Sequence, residues 1–181
     1  RHNSVGRNVY YMLCQKYNLP IVHYTNEIPA QVESERACIL WDTMVQTEAK
    51  LDHRRPDIVV YEHDRKRVTI IEFSVPMFQN MMRQRELKIN RYTVNSKRQI
   101  DEMSLPYVPG PNLVEDLRKQ THYQIKFLPV IVGATGEYLK GAVEELMKGL
   151  EIPMEKAKEL MHRMSRSAVE GSSRIIANHL A

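Results

Sequence analysis

Along the first half of the chain, hydrophobic positions fall into two strand-like runs split by a charged break. Ile58–Tyr61 and Val68–Phe73 are β-branched and aromatic, and Glu62–Arg67 between them is charged. That pattern predicts a β-hairpin with a polar turn. After Pro76 the segment MFQNMMRQRELKINRY switches to helical periodicity. Earlier, residues 3–18 read as a helix with Val9, Met12 and Leu13 on one face and Asn3 or Ser4 as N-cap. Val32–Leu40, after Pro29, suits either helix or strand, and an early strand is expected over about 38–46.

The second half is read the same way. DEMSLPYVPGPN (101–112), with three prolines and a glycine, is a loop, and Leu113–Thr121 a short helix. Ile125–Val132 is an apolar strand whose Pro129 calls for an edge position or a bulge. Gly133 and Gly136 then turn into a helix over Glu137–Leu150; lacking the G-K-[ST] ending, this passage is not a phosphate-binding loop. Glu155–Leu180 forms one long helix or two, with Leu160, Met164, Ala168, Ile175 and Ile176 as its core stripe. The predicted architecture is α/β: a small mixed β-sheet flanked by helices, with a C-terminal helical extension.

The hairpin changes this picture from architecture to chemistry. A turn centred on Asp64–Arg65 sets Asp57 directly opposite Glu72, with Cβ atoms roughly 4.5–5.5 Å apart. Carboxylates that close repel, which raises one pKa or calls for a cation between them. A hard divalent ion, completed by waters and phosphate oxygens, is the usual answer. On the following helix, Arg85, Lys88 and Tyr92 share one face, with Arg91 at its edge. A lysine there can stabilise charge on a metal-bound phosphate or position the attacking water. Asp42, a candidate third acid or hydrogen-bonding support, lies near the early strand with Gln46 and Glu48.

Charge supports the same direction. The chain has 181 residues and a net charge of +4, mildly basic and compatible with a polyanion partner. Arg54–Arg55, Arg65–Lys66–Arg67, Arg83, Arg85, Lys88, Arg91 and Lys97–Arg98 are expected to ring the acid pair and hold phosphates. Cys14 and Cys38 can make neither a four-ligand zinc site nor a disulfide framework, and both read as buried free thiols in apolar helical contexts. His2 reads as exposed rather than as a metal ligand. No apolar run approaches the ~20 residues of a membrane span. The opening Arg1–His2–Asn3 carries no signal-peptide pattern and suggests a fragment of a larger protein.

Asp57, Glu72 and a nearby lysine resemble the PD-(D/E)xK nuclease core, with Ser74 at the position where the motif's lysine normally falls. One branch carries that lysine on the next helix: the restriction-like endonuclease domain of non-LTR retrotransposon reverse transcriptase polyproteins. The chain is similar to that branch over nearly its whole length. The resemblance runs through RHNSVGRNVYYMLCQKYNL (1–19), ILWDTMVQTEAKLDHRRPDIVVYE (39–62), RELKINRY (85–92), FLPVIVGATG (127–136) and SRSAVEGSSRIIANHL (165–180), in that order.

It implies a single restriction-like endonuclease domain with its core over about 30–136. Asp57 and Glu72 would bind Mg²⁺ or Mn²⁺, Lys88 would be the displaced catalytic lysine, and Arg91 and Tyr92 its supporting pair. The implied activity is hydrolysis of a DNA phosphodiester to leave a 3′-hydroxyl primer for reverse transcription. The implied partners are DNA, element RNA and the reverse transcriptase of the parent polyprotein, in the nucleus. The alternative is a domesticated or decayed copy that grips nucleic acid or protein without cutting.

Overall fold

Strand pairing decides where the acids stand. The computed structural model describes residues 2–98 and 108–180, with no side-chain account of residue 180. Its centre is a five-stranded sheet in the order β1-β2-β3-β4-β5: Gln31–Glu33, Ala37–Trp41, Ile58–Glu62, Arg67–Ser74 and Gln124–Ile131. The first four strands run antiparallel to their neighbours, and β5 joins β4 in parallel. The β3–β4 register pairs Ile58 with Ile71 and Glu62 with Arg67. That is the predicted register, and one residue further along it brings Asp57 opposite Glu72.

Alternation along the strands divides the core between the two faces of the sheet. Ile39, Ile58, Val60, Ile71 and Phe73 pack on one face with residues of α1 (His2–Tyr17), α4 (Ala142–Leu150) and α5 (Met154–Leu180). Val59, Val68 and Ile70 face the other way, against Tyr92 of α2 (Met81–Thr93) and Leu113, Val114 and Leu117 of α3 (Leu113–Thr121). Glu72 shares the parity of Val68 and Ile70, so it looks toward α2. With both faces covered, seven of the eight β4 residues are buried.

Several expectations hold and several need correction. α3 spans the predicted residues, and Pro129 lies on the edge strand, where its missing N–H breaks no ladder. The loop expected over 101–112 lies outside the described residues as far as 107; 108–112 carry no helix or strand. α1 begins at His2, so neither Asn3 nor Ser4 is its N-cap. The early strand stops at Trp41 rather than 46, because Asp42 turns the chain with a positive φ of 44°.

The helix expected from Glu137 starts only at Ala142. Tyr138 instead bridges Val132, and Gly141, with φ 83°, sets the turn into the helix. α5 is one helix. Leu160, Met164 and Ala168 are buried, whereas Ile175 and Ile176 are 42% and 60% exposed and the core cluster ends at Ala168. Both cysteines are buried and free, though Cys38 sits in β2 rather than in a helix. No helix among the described residues is long and apolar enough to cross a membrane.

Candidate active site

The acid pair stands at the open end of the β3–β4 hairpin, where each carboxylate is held by the other strand. The Asp57 N–H donates to Glu72 Oε1 at 3.0 Å, and the Phe73 N–H donates to Asp57 Oδ2 at 2.7 Å. Backbone donors of this kind favour the ionised form and offset part of the mutual repulsion. Glu72 is only 2% exposed. Burial first, and the Asp57 charge second, push its pKa above the usual carboxylate range; Lys88 and Tyr92 oppose the shift.

α2 supplies that opposition. Its helical spacing carries Lys88 and Tyr92 one turn apart over the same strand end. Lys88 Nζ donates to Glu72 Oε2 at 2.5 Å. Tyr92 is buried, stacks on Phe127 with centroids 5.4 Å apart, and also bonds Glu72. Burial and the neighbouring Glu72 and Asp57 charges push its phenol pKa upward. Lys88 is thus in direct contact with Glu72.

His2, expected to be exposed, is half-buried against the acid pair. Its Nε2 lies 3.2 Å from Asp57 Oδ2 and 3.1 Å from the Phe73 carbonyl oxygen, and Asn3 Oδ1 lies 3.3 Å from its Nδ1. The Asp57 hydrogen bond outweighs desolvation and raises the imidazole pKa to about 9. Gly6 permits the approach, since a Cβ there would meet Trp41 at 3.0 Å and Phe73 at 3.2 Å. The only advance signal is that His2 and Gly6 share a helical face, and that does not say which strand end the face would meet.

The other predicted site residues divide. Asp42 lines a small polar cavity of about 210 Å³ with His2, Asn3, Trp41, Asp57 and Phe73, and its N–H donates to the Asp57 carbonyl at 2.8 Å. Its carboxylate, however, is held by Arg55 at 2.9 Å, which makes it an anchor for that arginine. Gln46 is exposed, and its backbone carbonyl accepts a bond from Gln120 of α3 at 3.3 Å. Arg54 is half-buried and precedes the acid in sequence. Arg85 reaches Glu145 of α4 at 2.6 Å, and Arg91 is half-buried.

The expected basic ring is incomplete. Arg65, Lys66 and Arg67 lie at the closed end of the hairpin, roughly 17 Å from the acids by strand rise. There Arg67 is bonded to Glu62 and Glu151, and Arg65 to Glu151. A cleft of about 770 Å³ between β5, α2 and α4 contains Arg85, Lys126 and Glu145 but neither acid of the pair. Asp57 lines the smaller cavity instead.

The Asp57 carboxylate and the Phe73 carbonyl are oxygen donors of the type hard cations take. Asp57 Oδ2 and the Phe73 carbonyl both lie close to one point, now held by the His2 ring nitrogen, and the adjoining cavity has room for water. Among the described residues no three His, Cys, Asp or Glu side chains converge as a ready-made cluster. Glu72 turns its oxygens to Lys88 and the Asp57 N–H, so the main-chain carbonyl and water are the further donors. No protein-family model, curated protein or solved structure matches the chain.

Proposed function

We propose that this chain is a divalent-metal-dependent DNA endonuclease domain of the PD-(D/E)xK kind, resembling those of non-LTR retrotransposon polyproteins. One observation carries the reading: Asp57 and Glu72 face each other at a strand end while Lys88 reaches Glu72 from the next helix. Asp57 would hold Mg²⁺ or Mn²⁺ beside the Phe73 carbonyl, and Glu72 would join it by turning an oxygen from Lys88 or the Asp57 N–H to the ion. When bound, the ion supplies Lewis-acid polarisation of the scissile phosphate and a more acidic water.

The chain's own groups do the rest. Lys88 brings a positive charge to the place where the phosphate gains negative charge, and its N–H donors can orient a water for in-line attack. Tyr92 fixes the Glu72 carboxylate on its buried side. Arg54, Arg55, Arg85 and Arg91 would carry flanking phosphates, fixing the position of the duplex without reading its sequence. Arg55 and Arg85 would exchange their carboxylate partners for phosphate oxygens. Cleavage would leave a 3′-hydroxyl that a reverse transcriptase in the same polyprotein extends on element RNA, in the nucleus.

A second reading has its own support. His2 and Lys88 already pair with the two acids, so the strand end is satisfied without an ion, as suits a domesticated module that binds without cutting. Incubation of supercoiled plasmid with the protein and Mn²⁺, against EDTA, separates the two. Mn²⁺-dependent nicking supports the nuclease; retained DNA with no nicking at any Mn²⁺ concentration supports the binding module.

A further inference from the structure

We propose that the free edge of β5 is a docking groove in which an extended, acidic segment of a protein partner adds to the sheet as a sixth strand. The groove holds neither Asp57 nor Glu72, and its role is independent of the nuclease reading.

Main-chain direction defines the edge. The Gln124 N–H donates to the Lys66 carbonyl and the Val132 N–H to the Ser74 carbonyl, and the β4–β5 register between them is unbroken. Backbone groups of successive strand residues point to alternate sides, so the even-numbered residues turn toward β4. The odd-numbered ones turn outward, presenting the Phe127 N–H and carbonyl, the Pro129 carbonyl and the Ile131 N–H. None of these has a hydrogen-bond partner, and no strand lies beyond β5, among the described residues. The next outward donor, the Gly133 N–H, already bonds the Glu137 carbonyl, and Tyr138 bridges Val132 there. The chain thus begins a sixth strand itself and then leaves the edge open. An unpaired edge is a template for another strand.

The cleft of about 770 Å³ follows this edge. All the residues from Lys126 to Ile131 line it. Consecutive strand residues border one space only where that space runs along the edge rather than over a face. α2 walls it with Met82 and Arg85, and α4 with Ala142 and Glu145. Arg85 and Glu145 meet from these two walls at 2.6 Å. Walls on both faces admit a single chain, whereas the β5 of a second copy would bring walls of its own.

Charge selects the kind of peptide. Arg85, Lys126, Lys140 and Lys148 border the cleft, four cations against the two carboxylates of Glu144 and Glu145. An entering strand parts Arg85 from Glu145 and must offer the guanidinium a carboxylate in return. Lys140 and Lys148 are exposed and can take further carboxylates. The same cations on two copies would repel, a second reason against self-pairing.

The test uses the whole chain and, as probe, a capped, fluorescein-labelled octapeptide of alternating valine and glutamate. Affinity is read by anisotropy, and the mode of binding by site-resolved amide hydrogen exchange. In the free protein the Phe127 and Ile131 amides should exchange faster than those of Leu128 and Val130. Peptide should slow both by at least about tenfold. K140E/K148E should weaken binding at least about fivefold. A peptide with lysine in place of glutamate, or with alternate amides N-methylated, should not bind.

Unchanged exchange at Phe127 and Ile131 with millimolar peptide overturns the added strand, whether or not the peptide binds elsewhere. Oligothymidylate that binds in place of the peptide, with the same sensitivity to K140E/K148E, overturns the peptide partner and makes the groove a nucleic-acid surface. Slowing of the two amides with protein concentration alone overturns it in favour of a second copy.

Discussion

Asp57 and Glu72 hold each other's strand: the Asp57 N–H bonds Glu72 Oε1 at 3.0 Å, and the Phe73 N–H, one residue past Glu72, bonds Asp57 Oδ2 at 2.7 Å. The pair is therefore structural as well as chemical. A carboxylate at 57 closes the hairpin end, and truncation there removes an acceptor from a backbone donor.

Two substitutions at this position should accordingly part company. Asp57→Asn keeps an acceptor for the Phe73 N–H, so metal-free stability should change little while nicking is lost. Asp57→Ala leaves that N–H without a partner and should cost about 1–3 kcal/mol in urea denaturation. Equal stability of the two variants would mean that the bond to Phe73 contributes nothing.

The Lys88–Glu72 pair makes a pH-dependent prediction. The Glu72 pKa is raised in the folded state, so its ionised form opposes folding. That opposition is absent below the ordinary carboxylate value and grows as pH rises through the folded value. Lys88→Met removes the pairing cation, enlarging the penalty toward the ~3–5 kcal/mol typical of a broken buried pair. Its stability deficit should be clearly larger at about pH 8 than at about pH 5. Cleavage should disappear with little loss of DNA affinity, because a group acting mainly in the transition state lowers turnover more than binding. Wild-type cleavage by the variant would remove Lys88 from the mechanism.

At the other end of the hairpin, Arg67 is buried between Glu62 and Glu151. Arg67→Met would strand the buried Glu62 and should cost about 3–5 kcal/mol. The Glu151 carboxyl is held far below its ordinary pKa of 4.5, chiefly by Arg67 and with help from Lys126. Its contribution is present above that ordinary value and fades as pH falls below it. Glu151→Gln should therefore be less stable than wild type at neutral pH, with the gap closing on acidification. DNA nicking at neutral pH should survive in Glu151→Gln, since this cluster is remote from the acids.

DNA binding should weaken linearly in log affinity against log salt, by about 0.9 for each phosphate contact on duplex DNA. Replacing Arg85 and Arg91 by glutamine should flatten the slope by up to about two contacts. Glu145→Gln, which frees Arg85 from its ion pair, should tighten binding at low salt. Affinity that ignores salt would point to a protein partner instead.

How much of this was legible beforehand differs from residue to residue. The opposition of Asp57 and Glu72 was legible given a turn centred on Asp64–Arg65; a bulge in the charged segment would have shifted it by one residue, and the strand pairing decided the register. Pro129 called for an edge position or a bulge, and the strand order settled it as an edge; α3 spans the predicted Leu113–Thr121. Lys88 was legible as a member of a helical face, though its contact with Glu72 required α2 to pack back across the sheet.

Other features depended on what the elements meet. Nothing local ends β2 at Trp41; the turn at Asp42 is held by its N–H bond to the Asp57 carbonyl and by Arg55. Ile175 and Ile176 keep the helical stripe but are exposed, outside the part of α5 that joins the core. Arg67 reads like a phosphate-binding arginine until Glu151, 84 residues later, reaches it. His2 is the extreme case: periodicity makes it one turn of an amphipathic helix, while its place beside Asp57 comes from Gly6 meeting Trp41 and Phe73. Short-range repeats set elements and offered the facing acids; strand pairing decided the register, and contacts between residues distant in the chain, through close packing and ion pairing, decided which other groups reach them.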